Sequence, residues 1–155
     1  MHFITSFLFF ACSEENTAPI VEVRLQGISE SDTGPDIYSD DFVQPTTISA
    51  SITQLTAWAE IEDYYRDELE ISSLLVNETT GEEITRFDFT AMYDEEEEYE
   101  NNRNIETLSI DVDFYDETGE PYEDFEFRVK DVITFSIEVS DGSFTTKESI
   151  SVEVE

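Results

Sequence analysis

Residues 133–154 read ITFSIEVSDGSFTTKESISVEV. Ile133, Phe135, Ile137 and Val139 alternate with Thr134, Ser136, Glu138 and Ser140, and Ile150, Val152 and Val154 alternate with Ser149, Ser151 and Glu153. Successive side chains of a strand point to opposite faces, so this pattern means two strands with one buried face each. Asp141-Gly142 between them predicts a two-residue hairpin, because Gly supplies the positive φ that a type I′ turn requires. A pair with one apolar face must bury it against a second layer. The end of the chain therefore calls for a sandwich.

The same period recurs upstream. Val21, Val23 and Leu25 alternate within a strand over 20–25, and 27–42, with Gly34-Pro35 and many Asp and Ser, reads as a loop. Ile48, Ala50 and Ile52, then Leu55, Ala57, Ala59 and Ile61, give the strongest alternation; its phase changes between Ile52 and Leu55, which predicts a bulge or bend near Thr53-Gln54. Trp58 falls on the polar phase of this stretch. Residues 62–68 form a charged turn, 69–76 a strand, 77–83 a hairpin connection, and 84–93 a strand pairing back, with Phe87, Phe89 and Ala91 on one face. The run 94–104, DEEEEYENNRN, has the composition of a solvated acidic loop. Leu108, Ile110, Val112 and Phe114 mark a strand over 107–115, 116–121 is a turn, and Phe125, Phe127 and Val129 predict a strand over 122–129. Nowhere is a helical period sustained. The expected fold is all-β: a single-domain antiparallel β-sandwich, Ig-like, of about 7–8 strands.

ITFSIEVSDGSFTTKESISVEV resembles the last two strands of bacterial Ig-like, PKD-like and cadherin-like modules, where an alternating strand runs into Asp-Gly and a second closes the domain. LTAWAEIED, residues 55–63, resembles the second strand of such modules, ending in an acidic pair. The resemblance implies a role in spacing, adhesion or ligand presentation. It identifies a class of module and assigns no residue roles.

The amino-terminal stretch FITSFLFFACSEE, residues 3–15, is a short apolar run ending in Ala11-Cys12 and an acidic segment. Spanning a bilayer takes about 20 apolar residues, whereas about 7–15 before a small residue suit the core of a secretory signal. FFAC resembles the bacterial lipobox, and Ser13-Glu14-Glu15 resembles the acidic tag that follows the lipid-bearing Cys in surface lipoproteins of some Gram-negative bacteria. The n-region has no Lys or Arg; a basic segment upstream of Met1 would complete the pattern. The expected organisation is a signal peptide over 1–11, an acylated Cys12 with a tether over 12–19, and the sandwich over 20–155. That places the chain on the outer membrane, facing the cell surface, held only by its lipid. The alternative is a buried first strand with a core Cys.

The charge balance is extreme, with 39 Asp plus Glu against 7 Lys plus Arg, net −32. Such a surface repels phosphate backbones and anionic headgroups, so nucleic acid is not an expected partner, nor is direct contact with the membrane surface. The apolar share of 39% still supports a packed core, so this is no disordered acidic tail. Cys12 is the single Cys and His2 the single His. Beyond Cys12 the chain holds neither, which excludes Ser-His-Asp and Cys-His machinery and His- or Cys-built zinc sites there.

Two constellations remain. Asp111, Asp113, Asp116 and Glu117 gather at a strand end, and Glu62 and Asp63 end another strand; calcium takes six to eight such oxygens. The competing view is a solvated acidic face. Trp58, Tyr64 and Tyr65 could stack on a glycan or anchor a protein, against ordinary packing in a sandwich. The expected function is a non-catalytic binding or scaffold module for an unknown protein or glycan. A calcium-stiffened spacer is the alternative, with Ca2+ as the one cofactor considered, and a carboxylate hydrolase is a distant third.

Overall fold

The computed structural model describes residues 17–29, 36–63, 69–84, 89–98, 103–115 and 127–155. Among them lie nine strands: β1 Ile20–Ile28, β2 Thr47–Ile48, β3 Gln54–Asp63, β4 Glu70–Asn77, β5 Glu82–Glu83, β6 Phe89–Glu98, β7 Arg103–Asp113, β8 Val132–Ser140 and β9 Thr145–Val154. They form a sandwich of two sheets, ordered β1-β3-β7-β6 and β2-β9-β8-β4-β5. Neighbours are antiparallel except β2 and β9. With the two-residue β2 and β5 left out and the other seven strands lettered along the chain, the order is ABED and GFC, that of immunoglobulin constant-type sandwiches. The all-β sandwich expected from the alternation is what forms.

The inward phases meet where the alternation says they should. Leu55, Ala57, Ala59 and Ile61 of β3 join Leu108, Ile110 and Val112 of β7, Phe135, Ile137 and Val139 of β8, and Val152 and Val154 of β9 in one core. Phe135 and Leu75 are fully buried, each stabilising by about 1.5–3 kcal/mol relative to exposure. Phe114 and Phe127 close one end edge to face, with centroids 5.2 Å apart and rings at 81°.

Several local expectations fail for topological reasons. Of the bulge or bend expected between Ile52 and Leu55, the bend forms, at Thr53, and it is no bulge within one strand: β2 and β3 belong to different sheets, and residues 49–53 carry the chain from one to the other. Thr53 anchors the crossing, its amide donating to the Ile28 carbonyl at 2.7 Å and its carbonyl accepting from the Phe114 amide at 3.0 Å. Gly27 makes room for it, since a Cβ there would stand 2.8 Å from Ile52 Cγ2. The segment 84–93 does not pair back on 69–76: β4 meets only Glu82–Glu83 that way, and β6 pairs with β7 in the opposite sheet. The acidic run Asp94–Glu98 is not loop but the second half of β6, with Asp94 opposite Thr107 and Glu98 opposite Arg103. The ladder to β7 holds it extended, and a charged strand is suited to a sheet edge because it resists further pairing.

Of the strand expected over 122–129, the described part is not strand. Phe127 is buried in the core, whereas Val129 is 64% exposed in a turn that places Lys130 at φ 80°. The final hairpin has a four-residue loop, because Ser140 pairs with Thr145. Gly142 has φ 84°, but Asp141 sets the turn: its carboxylate Oδ1 accepts from the amides of Ser143 at 2.7 Å and Phe144 at 2.6 Å. No helix among the described residues is long and apolar enough to cross a membrane.

Candidate functional site

Trp58 sits mid-strand in β3 on the outward phase, in a cross-strand row with Arg24 of β1 and Ser109 of β7. It is nonetheless 6% exposed. The Arg24 guanidinium lies over the indole, 4.5 Å from its centroid, and 5.6 Å from the ring of Phe42. Its Nη1 donates to the carbonyls of Ile37 and Ser39, both at 2.8 Å, and its Nε donates to Glu22 Oε1 at 2.7 Å. The segment 36–44 thus crosses the sheet as a strap. At its far side the hydroxyls of Tyr38 and Ser109 share a hydrogen bond of 3.0 Å. At its near end Gln44 seals the edge of β1, Oε1 accepting from the Leu25 amide at 3.0 Å and Nε2 donating to the Leu25 carbonyl at 2.8 Å. Trp58 is therefore a covered anchor, and a ligand reaches it only if the strap moves. Its expected companions Tyr64 and Tyr65 lie outside the described residues.

The acidic candidates are split between two places. Asp111 and Asp113 stand opposite Thr56 and Gln54 at the start of β3, while Glu62 and Asp63 stand opposite Ile105 and Asn104 at its end. Six residues of strand separate Thr56 from Glu62, about 20 Å at the rise of a strand. Asp111 Oδ1 accepts from the Thr56 hydroxyl at 2.7 Å. Asp116, Glu117 and Cys12 lie outside the described residues. Among the described residues no three His, Cys, Asp or Glu side chains are grouped to hold one ion.

The structure also makes a pair that sequence reasoning missed. Asp63 continues the inward phase of Ile61, and Glu106 continues that of Leu108, so two acids face the inter-sheet space diagonally across β3 and β7. Asp63 is 1% exposed and Glu106 is 6% exposed. Burial pushes the Glu106 carboxyl above the usual carboxylate range, and the neighbouring Asp63 charge pushes the same way. Glu106 Oε2 accepts no hydrogen bond. By contrast Asn77 and Asp131, also buried, are satisfied: Asn77 Nδ2 donates to Asp131 Oδ2 at 2.9 Å, and Asp131 also accepts from the Arg128 amide at 3.0 Å. The signal was present in the alternation, which runs two residues past its last apolar member on both strands.

Leu69, Ile71, Ser73 and Leu108 line a solvent-open groove of about 370 Å³, and its member Leu108 is the next inward residue of β7 after Glu106. Strand ends place more at this end of the sandwich. Asp63 and Glu70 bracket residues 64–68, Glu98 and Arg103 bracket 99–102, Ser140 and Thr145 bracket the last hairpin loop, and Ile20, opposite Glu62, starts β1 here. No protein-family model, no curated protein and no solved structure matches this chain.

Proposed function

We propose that this chain is a non-catalytic cell-surface lipoprotein whose sandwich presents one end as a binding surface. The observation that carries this is the convergence of strand ends: Asp63, Glu70, Glu98, Arg103, Ser140 and Thr145 end or begin strands at one end of the core, and the links 64–68, 99–102 and 141–144 lie between them in sequence. Loops held on a sandwich are free to vary without cost to the core and are common carriers of binding residues. Tyr64, Tyr65 and Tyr99 belong to these links by sequence. Cys12 would carry the lipid and residues 13–19 the tether, on an outer membrane. Replacing Cys12 with Ser should release the protein to the soluble fraction. Retention on the membrane with an unprocessed amino terminus would overturn the lipoprotein half.

The inward acids Asp63 and Glu106 keep the calcium-stiffened spacer as a second reading. Melting in calcium, magnesium and sodium at matched ionic strength separates the two, because all three ions screen a −32 surface. A specific site adds about 2.7 kcal/mol when calcium is a hundredfold above its Kd. The binding-module reading expects no calcium increment beyond magnesium; an increment of several degrees would favour the spacer.

A further inference from the structure

We propose that the mouth between the sheets beside Glu106 binds a primary alkylammonium group, as presented by a lysine side chain of a partner protein, with the ammonium at the Glu106 carboxylate and its stem along Leu69, Ile71 and Leu108. The inference deepens the binding-module reading and rests on it for its biological sense. Its test reads the purified full chain and does not depend on Cys12.

Four observations converge. Glu106 is more than nine-tenths buried with Oε2 unpartnered, an arrangement that costs free energy until a donor arrives. The groove beside it is walled by three aliphatic side chains and one hydroxyl, which suits a short alkyl stem and offers few oxygens to a metal ion. Calcium needs six to eight oxygens, and no third acid joins the pair among the described residues. Among the described residues, the charged group that acts on Glu106 is Asp63, diagonally across β3. A cation placed there offsets the burial and, after it, the Asp63 charge that raise the Glu106 carboxyl.

The probe is n-pentylammonium chloride, titrated calorimetrically into the full chain, with n-pentanol, sodium chloride at equal ionic strength and calcium chloride as controls. Pentylammonium should bind at one site and the controls should not. Glu106→Gln should weaken it at least tenfold, Ser73→Phe should block it by filling the exposed rim of the groove, and Asp111→Asn should leave it unchanged. Because the ammonium needs the carboxylate form, affinity should fall on acidification, starting at a higher pH than for an ordinary Glu. Equal binding of pentanol, undiminished binding to Glu106→Gln, or displacement by equimolar calcium would overturn the proposal. If Glu106→Gln does not fold, Ser73→Phe decides: undiminished binding to that variant overturns it. Cell fractionation of Cys12→Ser tests the anchoring separately, so the two failures are distinguishable.

Discussion

The two sheets of this sandwich carry outer faces of opposite character. On the four-stranded sheet Gln26, Thr56, Trp58 and Ser109 all point outward, yet each is under a tenth exposed. The 36–44 strap, tied by Arg24 and Gln44, covers the row holding Trp58. On the five-stranded sheet the outward row of Leu74, Ser136 and Ser149 is open, and Leu74 is 42% exposed. The two sheets share one backbone pattern. The difference teaches that alternation assigns residues to a face and says nothing about what lies over that face. Here the nominally polar phase holds an aromatic and an arginine, and a strap fastened by Arg24, Gln44 and Tyr38 lies over them.

The largest effect that would break this contrast is at the indole. Removing a buried aromatic typically costs about 3–5 kcal/mol, so Trp58→Ala should fall in that range in a urea unfolding series. A loss below about 1 kcal/mol would mean that the strap does not cover the sheet in solution, and that the two faces are alike after all.

How much of this was legible follows from which interactions are local. The strands over 132–140 and 145–154 were readable because alternation is a property of neighbouring residues. Pairing beyond a local hairpin was not. The Gly81 turn does centre a hairpin, but only Glu82–Glu83 pair back on β4, and Phe89–Glu98 pairs with β7 instead. A turn residue reports that the chain bends, and cannot report which sheet it rejoins. The acidic run looked like loop because composition registers repulsion and misses the backbone ladder of an edge strand. Glu106 was lost among 39 acids, and Asp63 was singled out only beside Glu62, although each extends an inward phase by one more step. Of the six acids considered for calcium, the four described ones divide between the two ends of β3, Asp111 and Asp113 at its start and Glu62 and Asp63 at its end, a separation that residue type alone does not reveal.

A sharper probe changes the fastening and leaves the anchor. Arg24→Lys keeps the charge over Trp58 but removes the planar fork that reaches two carbonyls and stacks on the ring. Hydrogen bonds to a charged group contribute about 1.5–3 kcal/mol. Lysine can recover one of the two, so the expected loss is about 1.5–3 kcal/mol, with faster hydrogen exchange at the Leu25 amide as the strap loosens. A stability unchanged from that of the parent would show that Gln44 and Tyr38 hold the strap without Arg24.

The smallest effect should come from the open face. Lys147 pairs with Glu138 across β8 and β9, but its side chain is 71% exposed and that of Glu138 is 45% exposed. Exposed ion pairs contribute about 0–1 kcal/mol, because water screens the attraction and two long side chains must be ordered to make it. Lys147→Ser should therefore change the free energy of unfolding by less than about 1 kcal/mol, far below either change at the strapped face. What loss there is should come partly from adding a negative charge to a −32 chain, and that part should shrink between 0.05 and 0.5 M salt, where the screening length falls from above about 10 Å to below about 8 Å. A loss above about 2 kcal/mol that persists at high salt would mean that Lys147 is buried under something in solution. The five-stranded sheet would then have a cover of its own, and the contrast between the faces would disappear.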